Sequence, residues 1–472
     1  MTDVSQTTGY IERLADTAAA LTFTDLPDAV VASVGQRTLD LMGLCLAAAE
    51  LPTSDAALRF ATADGGLPQA HVVGHDVMVP ARAAAFANGV LAHSLDYDDT
   101  HLPSVLHPSA PVLPAVWAAA ERDHRSGEDL ILASAIGLEL CCRLGMAGYD
   151  RDAGNSLFFE RGQHATSICG AIAAAGAVAA LRGADPATIA DACGIAASMA
   201  AGIIEANRTG GTVKRIHCGW AANCGVSAAD LAVAGITGPP TVLEGRFGFF
   251  QAHVGEFLDA DALLDGFGER WDVPDIFFKP YPANHFTHAV IDAGIAAREQ
   301  GVTADDIERV TIGVAGPTVR TVGEPIEVKR APETGYQAQF SAPFVFAAAL
   351  AGGGGLGLAL DDFSDERAND PDCRALMQRI DVVADAACDE IFPDQFPAVV
   401  TIDTRSRGTV VIERLQNRGG PGAPLTSAEL ARKFSDNAGR RLPADRIGGI
   451  VELVEGLARL DDVSTVFEAT RP

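Results

Sequence analysis

Up to about residue 265, small and apolar side chains recur at helical spacing, the pattern of helices packed on a shared core. Breaks fall at "LPTSD" (51–55), "DRDAGNS" (150–156), "RGADP" (182–186) and "GPPT" (238–241), where Pro, Gly, Asp and Asn interrupt the period. Between about 272 and 408 the period shortens. "IERVTIGVA" (307–315), "IDVVADA" (380–386), "AVVTIDT" (398–404) and "TVVIERL" (409–415) are β-branched runs of strand length. The segment "FSAPFVFAAALAGG" (340–353) reads as a helix packed on those strands. Helical spacing returns after the Gly/Pro-rich "NRGGPGAPLT" (417–426), in "SAELARKFSDNAG" and "IGGIVELVEGLARL". The predicted fold is mainly α. A large all-helical domain, 1–271 and 418–472, carries a smaller α+β lid domain, 272–417, inserted before the C-terminal helices.

Composition narrows the partners. The chain has 472 residues, 48% of them hydrophobic but only 6% aromatic, which suits closely approaching helices rich in Ala. A net charge of −27 argues against nucleic-acid or anionic-membrane binding, so a site for an anion must be built locally from a few Lys, Arg and His. The start "MTDVSQTTGYIERLAD" lacks a basic segment followed by an apolar one, so no signal peptide is expected. The apolar run "HATSICGAIAAAGAVAAL" (164–181) is dominated by Ala and Gly and reads as a buried helix rather than a membrane span. Nine cysteines, an odd number without a Cys-x-x-Cys pair, read as reduced core thiols of a cytoplasmic protein.

Four stretches could carry chemistry. In "HSLDYDDTHLPSVLHPS" (93–109), three carboxylates and three imidazoles share seventeen positions. A helix begun near Pro80 and continued to Thr100 would place His93, Asp96 and Thr100 on one face, at i, i+3 and i+7. His107 would stand beside the start of a second helix near Pro108, where free N–H groups favour anions and a neutral imidazole. The order of His and Asp matches no zinc spacing and lacks a His-Glu-x-x-His pair, so no metal site is expected. Helix capping and surface ion pairs are the competing account of the stretch.

The second stretch, "NRTGGTVKRIHCGWAANCG" (207–225), is a Gly-rich turn followed by Thr212, Lys214, Arg215 and His217 at a helix start, which reads as a carboxylate or phosphate anchor, not a P-loop, with a solvated basic surface as the competing account. The third, "FFKPYPANHFTHAVIDAG" (277–294), sets Lys279 before a Pro-stiffened turn, with Asn284 placed to cap a helix bearing His285 and His288. The fourth is His164 in "RGQHATSICG", which alone reads most simply as a satisfied interior group. The glycines of "GGGGLG" (352–357) match a dinucleotide fingerprint, but no βαβ pattern surrounds them and a helix C-cap explains them better.

In this order, "ANGVLAHSLDYDDT…HPSAPVLPA", "GTVKRIHCGWAANCG", "GRFGFF" (245–250) and "KPYPANHFTHAVIDA" resemble the MmgE/PrpD superfamily, whose members include 2-methylcitrate dehydratases, cis-aconitate decarboxylases and iminodisuccinate epimerases. The resemblance implies a homodimer with a helical domain and an α+β lid, and no metal or organic cofactor. It places catalytic roles on His107, Asp96 and His164, and substrate contacts on Thr100, Lys214, Lys279 and Asn284. It departs from the decarboxylase branch at Asn284, where a His is expected, and at Phe344, where a Tyr is expected. The implied function is a cofactor-independent lyase acting on a small di- or tricarboxylate by proton abstraction next to a carboxylate. Dehydration of the 2-methylcitrate type stands first. Epimerisation, decarboxylation and a non-catalytic polyacid binder are the alternatives.

Overall fold

The computed structural model describes residues 8–152 and 154–472, and only the backbone of Asn207 and Arg208. The start of the N-terminal segment and Ala153 of the 150–156 break lie outside the described residues. The chain is mainly α and forms two compact units. One runs to Ile276 and resumes at Phe434; the other is Phe277–Lys433. The return therefore comes inside the helix Ser427–Ala438, after the Gly/Pro-rich segment where the sequence placed the boundary.

The first unit is built from long helices, among them Asp28–Ala48, Ala81–His93, Ser109–Arg122, Gly127–Ala147, Ala165–Leu181 and His217–Val233. Two short strand pairs, Ala70–His71 with Met78–Val79 and Tyr149–Asp150 with Asn155–Ser156, interrupt them. Ala165–Leu181 is buried on every side, which its uniformly apolar sequence requires. Asp28–Ala48 and Gly127–Ala147 are long and apolar enough to cross a membrane, yet 72% and 89% of their most apolar windows are buried within the protein. All nine cysteines are free and buried.

Small residues set how closely these helices approach. A methyl group on Gly219 would lie 2.3 Å from the Phe86 carbonyl oxygen, and one on Gly89 would lie 2.7 Å from Gly219 Cα. Helices Ala81–His93 and His217–Val233 thus cross backbone to backbone, which any larger residue at either glycine would prevent. Gly225 meets Ala174 in the same way, so His217–Val233 is also seated against Ala165–Leu181. These crossings bring the ends of the helices, and the histidines on them, together.

The second unit holds a four-stranded sheet in the order Ile380–Ala384, Ile307–Val314, Ala398–Thr404, Gly408–Arg414. The first pair is parallel, with Val310 opposite Ile380; the others are antiparallel, with Ile312 opposite Val400 and Val400 opposite Ile412. All four strands lie where the β-branched runs predict them. Helices His288–Glu299 and Ala342–Ala351 share the core with the sheet and meet where Gly294 lies against Ala349. Gly352, with φ of 101°, terminates Ala342–Ala351, so the Gly-rich run does serve as a helix C-cap.

Candidate active site

Three helix N-termini and one C-terminus converge in the first unit, and each contributes a histidine. His93 is the last residue of Ala81–His93, and His107 lies two residues before Ser109–Arg122. His164 is the N-cap of Ala165–Leu181, and His217 opens His217–Val233. Their rings form a row: centroids are 5.4 Å apart from His107 to His93, 5.5 Å from His93 to His164, and 5.1 Å from His164 to His217. Helix N-termini favour anions, so the row sits in a setting suited to carboxylates.

The sequence expectation of one helical face from His93 to Thr100 is corrected. The helix ends at His93, and Asp96 adopts φ of 52°, a left-handed conformation that Asp tolerates better than most residues. The reversed turn replaces the helical stack. It sends Asp96 Oδ1 to Lys214 Nζ, at 3.2 Å, and leaves Thr100 Oγ1 at 3.2 Å from His107 Nδ1. The remaining polar groups of the stretch, expected to support the site, cap helices or lie at the surface, take the first of those places and not the surface. His93, Asp98, Asp99 and His101 are all buried.

Each of those groups has a defined partner. His93 Nδ1 donates to Asp98 Oδ2 at 2.7 Å, and His101 Nδ1 pairs with Ser104 Oγ at 2.6 Å. Burial, only partly opposed by Asp272, pushes the His101 imidazole down to about 4, which keeps it neutral. Asp99 receives Arg37 Nη1 at 2.7 Å and the Ser109 hydroxyl at 2.5 Å. Burial raises the Asp99 carboxyl above its ordinary range, while Arg37 and then Ser109 oppose that rise. Arg37 also donates to the carbonyls of Val273 and Ile276, at 3.1 and 2.6 Å.

Hydrogen bonding decides much of the protonation pattern. His107 Nδ1 lies 2.6 Å from the Asp99 carbonyl oxygen, which can only accept. The proton therefore sits on Nδ1, and Nε2 is the nitrogen left for exchange. The His107 backbone N–H donates to Thr166 Oγ1 at 3.1 Å, which ties this loop to helix Ala165–Leu181. His164 and His217 face one another through their Nδ1 atoms at 3.0 Å. Burial, reinforced by His93 and Lys214, holds His164 well below the usual histidine value and His217 down to about 4. Both rings are neutral near pH 7, so one Nδ1 donates and the other accepts. The pair thus presents one Nε2 with a proton and one without.

The side chains of Lys214, Asp96 and His107 are 25%, 19% and 15% exposed, whereas those of His93 and Asp98 are 1% and 0%. The approach to the site is therefore from the Lys214 side. Of the residues singled out in the sequence, Asp96, Thr100, His107, His164 and Lys214 lie together in the first unit. Lys279 and Asn284 belong to the second unit, where Lys279 is buried and Asn284 Oδ1 accepts the Phe286 N–H at 3.1 Å as a cap. That cap opens a short 3-10 turn, His285–Thr287, before helix His288–Glu299. Among the described residues no cluster of three or more His, Cys, Asp and Glu side chains has an arrangement that could hold a metal ion. Sequence reasoning named His217 without a role and missed Arg37. An Arg within the otherwise apolar run "VASVGQRTLDLMGLCLAA" was the available signal for a buried, paired charge.

Residues 12–259 match the MmgE/PrpD N-terminal domain, and residues 281–456 match the MmgE/PrpD C-terminal domain. Cis-aconitate decarboxylase of Mus musculus is 31% identical over 408 residues, covering 83% of this chain and 78% of that protein. The Homo sapiens protein of the same name is 30% identical over 83% of this chain and 79% of its own length. The Aspergillus terreus cis-aconitate decarboxylase is 26% identical over 99% of this chain and 96% of its own.

Proposed function

The chain belongs to the MmgE/PrpD family, and on that premise we propose that it is a cofactor-independent lyase that decarboxylates a small unsaturated tricarboxylate of the cis-aconitate type. This reverses the order reached from sequence alone, where dehydration stood first. The observation that carries the reading is the row of imidazoles with Lys214 at its open side, in a chain whose relatives of that name align over most of its length.

The chemistry fits those groups. Breaking the bond to a carboxylate on the saturated carbon releases carbon dioxide and leaves its electron pair in an allylic system. A proton then joins the far carbon as the double bond shifts, giving a dicarboxylate with a terminal methylene. The enzyme must neutralise the remaining carboxylates and deliver one proton at a fixed atom. Lys214 is placed to bind a carboxylate in competition with Asp96. Thr100 and the helix N-termini add hydrogen-bond donors. With its Nδ1 proton committed to the Asp99 carbonyl, His107 delivers a proton from Nε2 as the imidazolium and regains that proton from solvent between turnovers. Dehydration of a 2-methylcitrate-type acid is the second reading, favoured by Asn284 standing where the decarboxylase branch is expected to carry a His.

The test is product analysis by NMR in heavy water with cis-aconitate, 2-methylcitrate, citrate and iminodisuccinate. Carbon dioxide release with one deuterium in the dicarboxylate product is expected from cis-aconitate. Turnover of 2-methylcitrate alone would replace decarboxylation by dehydration, and inversion of iminodisuccinate alone would replace it by epimerisation. His107→Ala is expected to abolish turnover and leave the melting temperature within a few degrees. Full activity in that variant would remove His107 from the mechanism.

A further inference from the structure

The row contains a pair to which the family resemblance assigns no role. His93 Nδ1 donates to Asp98 Oδ2 at 2.7 Å, and both side chains are shut away from solvent. With the Nδ1 proton held there, the Nε2 edge of His93 is the one left for its neighbours, His107 and His164. That Nε2 is buried and has no hydrogen-bond partner among the described residues. Unsatisfied buried polar atoms are unfavourable, and where a fold retains one it asks for an explanation in function.

The tautomer of His107 is already decided by the Asp99 carbonyl. Of the two rings beside His93, His164 is thus the one still open. A bare Nε2 on His93 favours a proton on the nitrogen that His164 turns outward from His217, its own Nε2. His164 Nδ1 is then the acceptor in the 3.0 Å contact, and His217 Nδ1 is the donor. Resting on the reading of this row as the active site, we propose that the Asp98 and His93 pair is a positioning device that selects the tautomers of His164 and His217. It leaves His217 Nε2 as a bare, proton-accepting nitrogen of the site, in addition to His107 Nε2. The order of control runs from Asp98 through His93 and His164 to His217, which follows Lys214 by three residues. An imidazole in the wrong tautomer keeps its geometry but loses its chemistry, so the effect belongs in kcat.

Two variants and one spectrum test this. Asp98→Asn lets the amide donate to His93 Nδ1 and reverses the row; His93→Asn keeps a donor onto Asp98 but has no Nε2. Both are expected to lower kcat at least a hundredfold, with KM within about threefold of wild type, on whichever acid the wild type turns over. A merely structural pair would instead leave kcat intact in His93→Asn, and that result would overturn the proposal. The 15N spectrum of the wild-type imidazoles, assigned by single substitution, is expected to show His164 protonated at Nε2 and His217 at Nδ1. The opposite assignment would overturn the proposal even if both variants failed to fold. The spectrum needs no substrate, so it stands or falls apart from the identity of the acid.

Discussion

Replacing Arg37 by Met tests the anchor beneath the candidate site. The guanidinium is buried and donates to Asp99 Oδ2 and to the carbonyls of Val273 and Ile276. Met fills similar volume without charge. Removing one member of a buried ion pair costs about 3–5 kcal/mol, and each lost hydrogen bond to a carbonyl about 1 kcal/mol more. The Ser109 hydroxyl and N–H still serve Asp99, at 2.5 and 3.3 Å, which places the charge loss at the low end of that range. The expected total is roughly 5 kcal/mol, or a fall in melting temperature of roughly 5–8 °C at about 2 cal/mol/K of unfolding entropy per residue. Because burial raises the Asp99 carboxyl, the folded protein binds its proton more readily than the unfolded chain. The penalty therefore grows as pH rises above the ordinary carboxylate range, and the gap to wild type should narrow between pH 7 and pH 5. Adding Asp99→Asn removes the stranded charge and should recover about 2 kcal/mol. Urea melts followed by circular dichroism give each corner of the cycle. A loss below about 1 kcal/mol in Arg37→Met, or strict additivity in the double variant, would refute the buried-pair argument.

Other outcomes follow from the site. Lys214→Ala should raise KM for a tricarboxylate at least tenfold while changing stability by less than about 1 kcal/mol, because its pair with Asp96 is partly exposed; an unchanged KM would remove its anchoring role. His217 is held at about 4, below its unfolded value, so its contribution to stability is fully present above about pH 6.5 and is lost as pH falls toward 4. His217→Gln should flatten that dependence, by on the order of 3 kcal/mol across the window, in melts taken at half-unit pH steps. Dialysis against EDTA should leave turnover within twofold of the untreated enzyme, and a loss restored by a divalent ion would overturn the metal-free reading.

Most of the fold was legible because its signals are local. Helical spacing of small residues and the four β-branched runs depend on near neighbours, so the periods alone locate the long helices and the sheet strands. The uniformly apolar "ATSICGAIAAAGAVAAL" likewise demanded a central position, and it has one. Motif resemblance named five residues that the fold gathers in one place: Asp96, Thr100, His107, His164 and Lys214.

What the sequence could not decide lies in contacts between distant segments. Whether Asp96 continued a helix or reversed it depended on a turn ending opposite Lys214, 118 positions away. The partnership of His164 with His217 depends on Gly225 meeting Ala174, which seats helix His217–Val233 against Ala165–Leu181, and Arg37 reaches Asp99 across 62 positions of chain. The sequence by itself determined which elements form and which residue types could bind a polyacid. Tertiary packing alone decided which histidines are neighbours, which are buried enough to stay neutral, and which nitrogen of each is left to work.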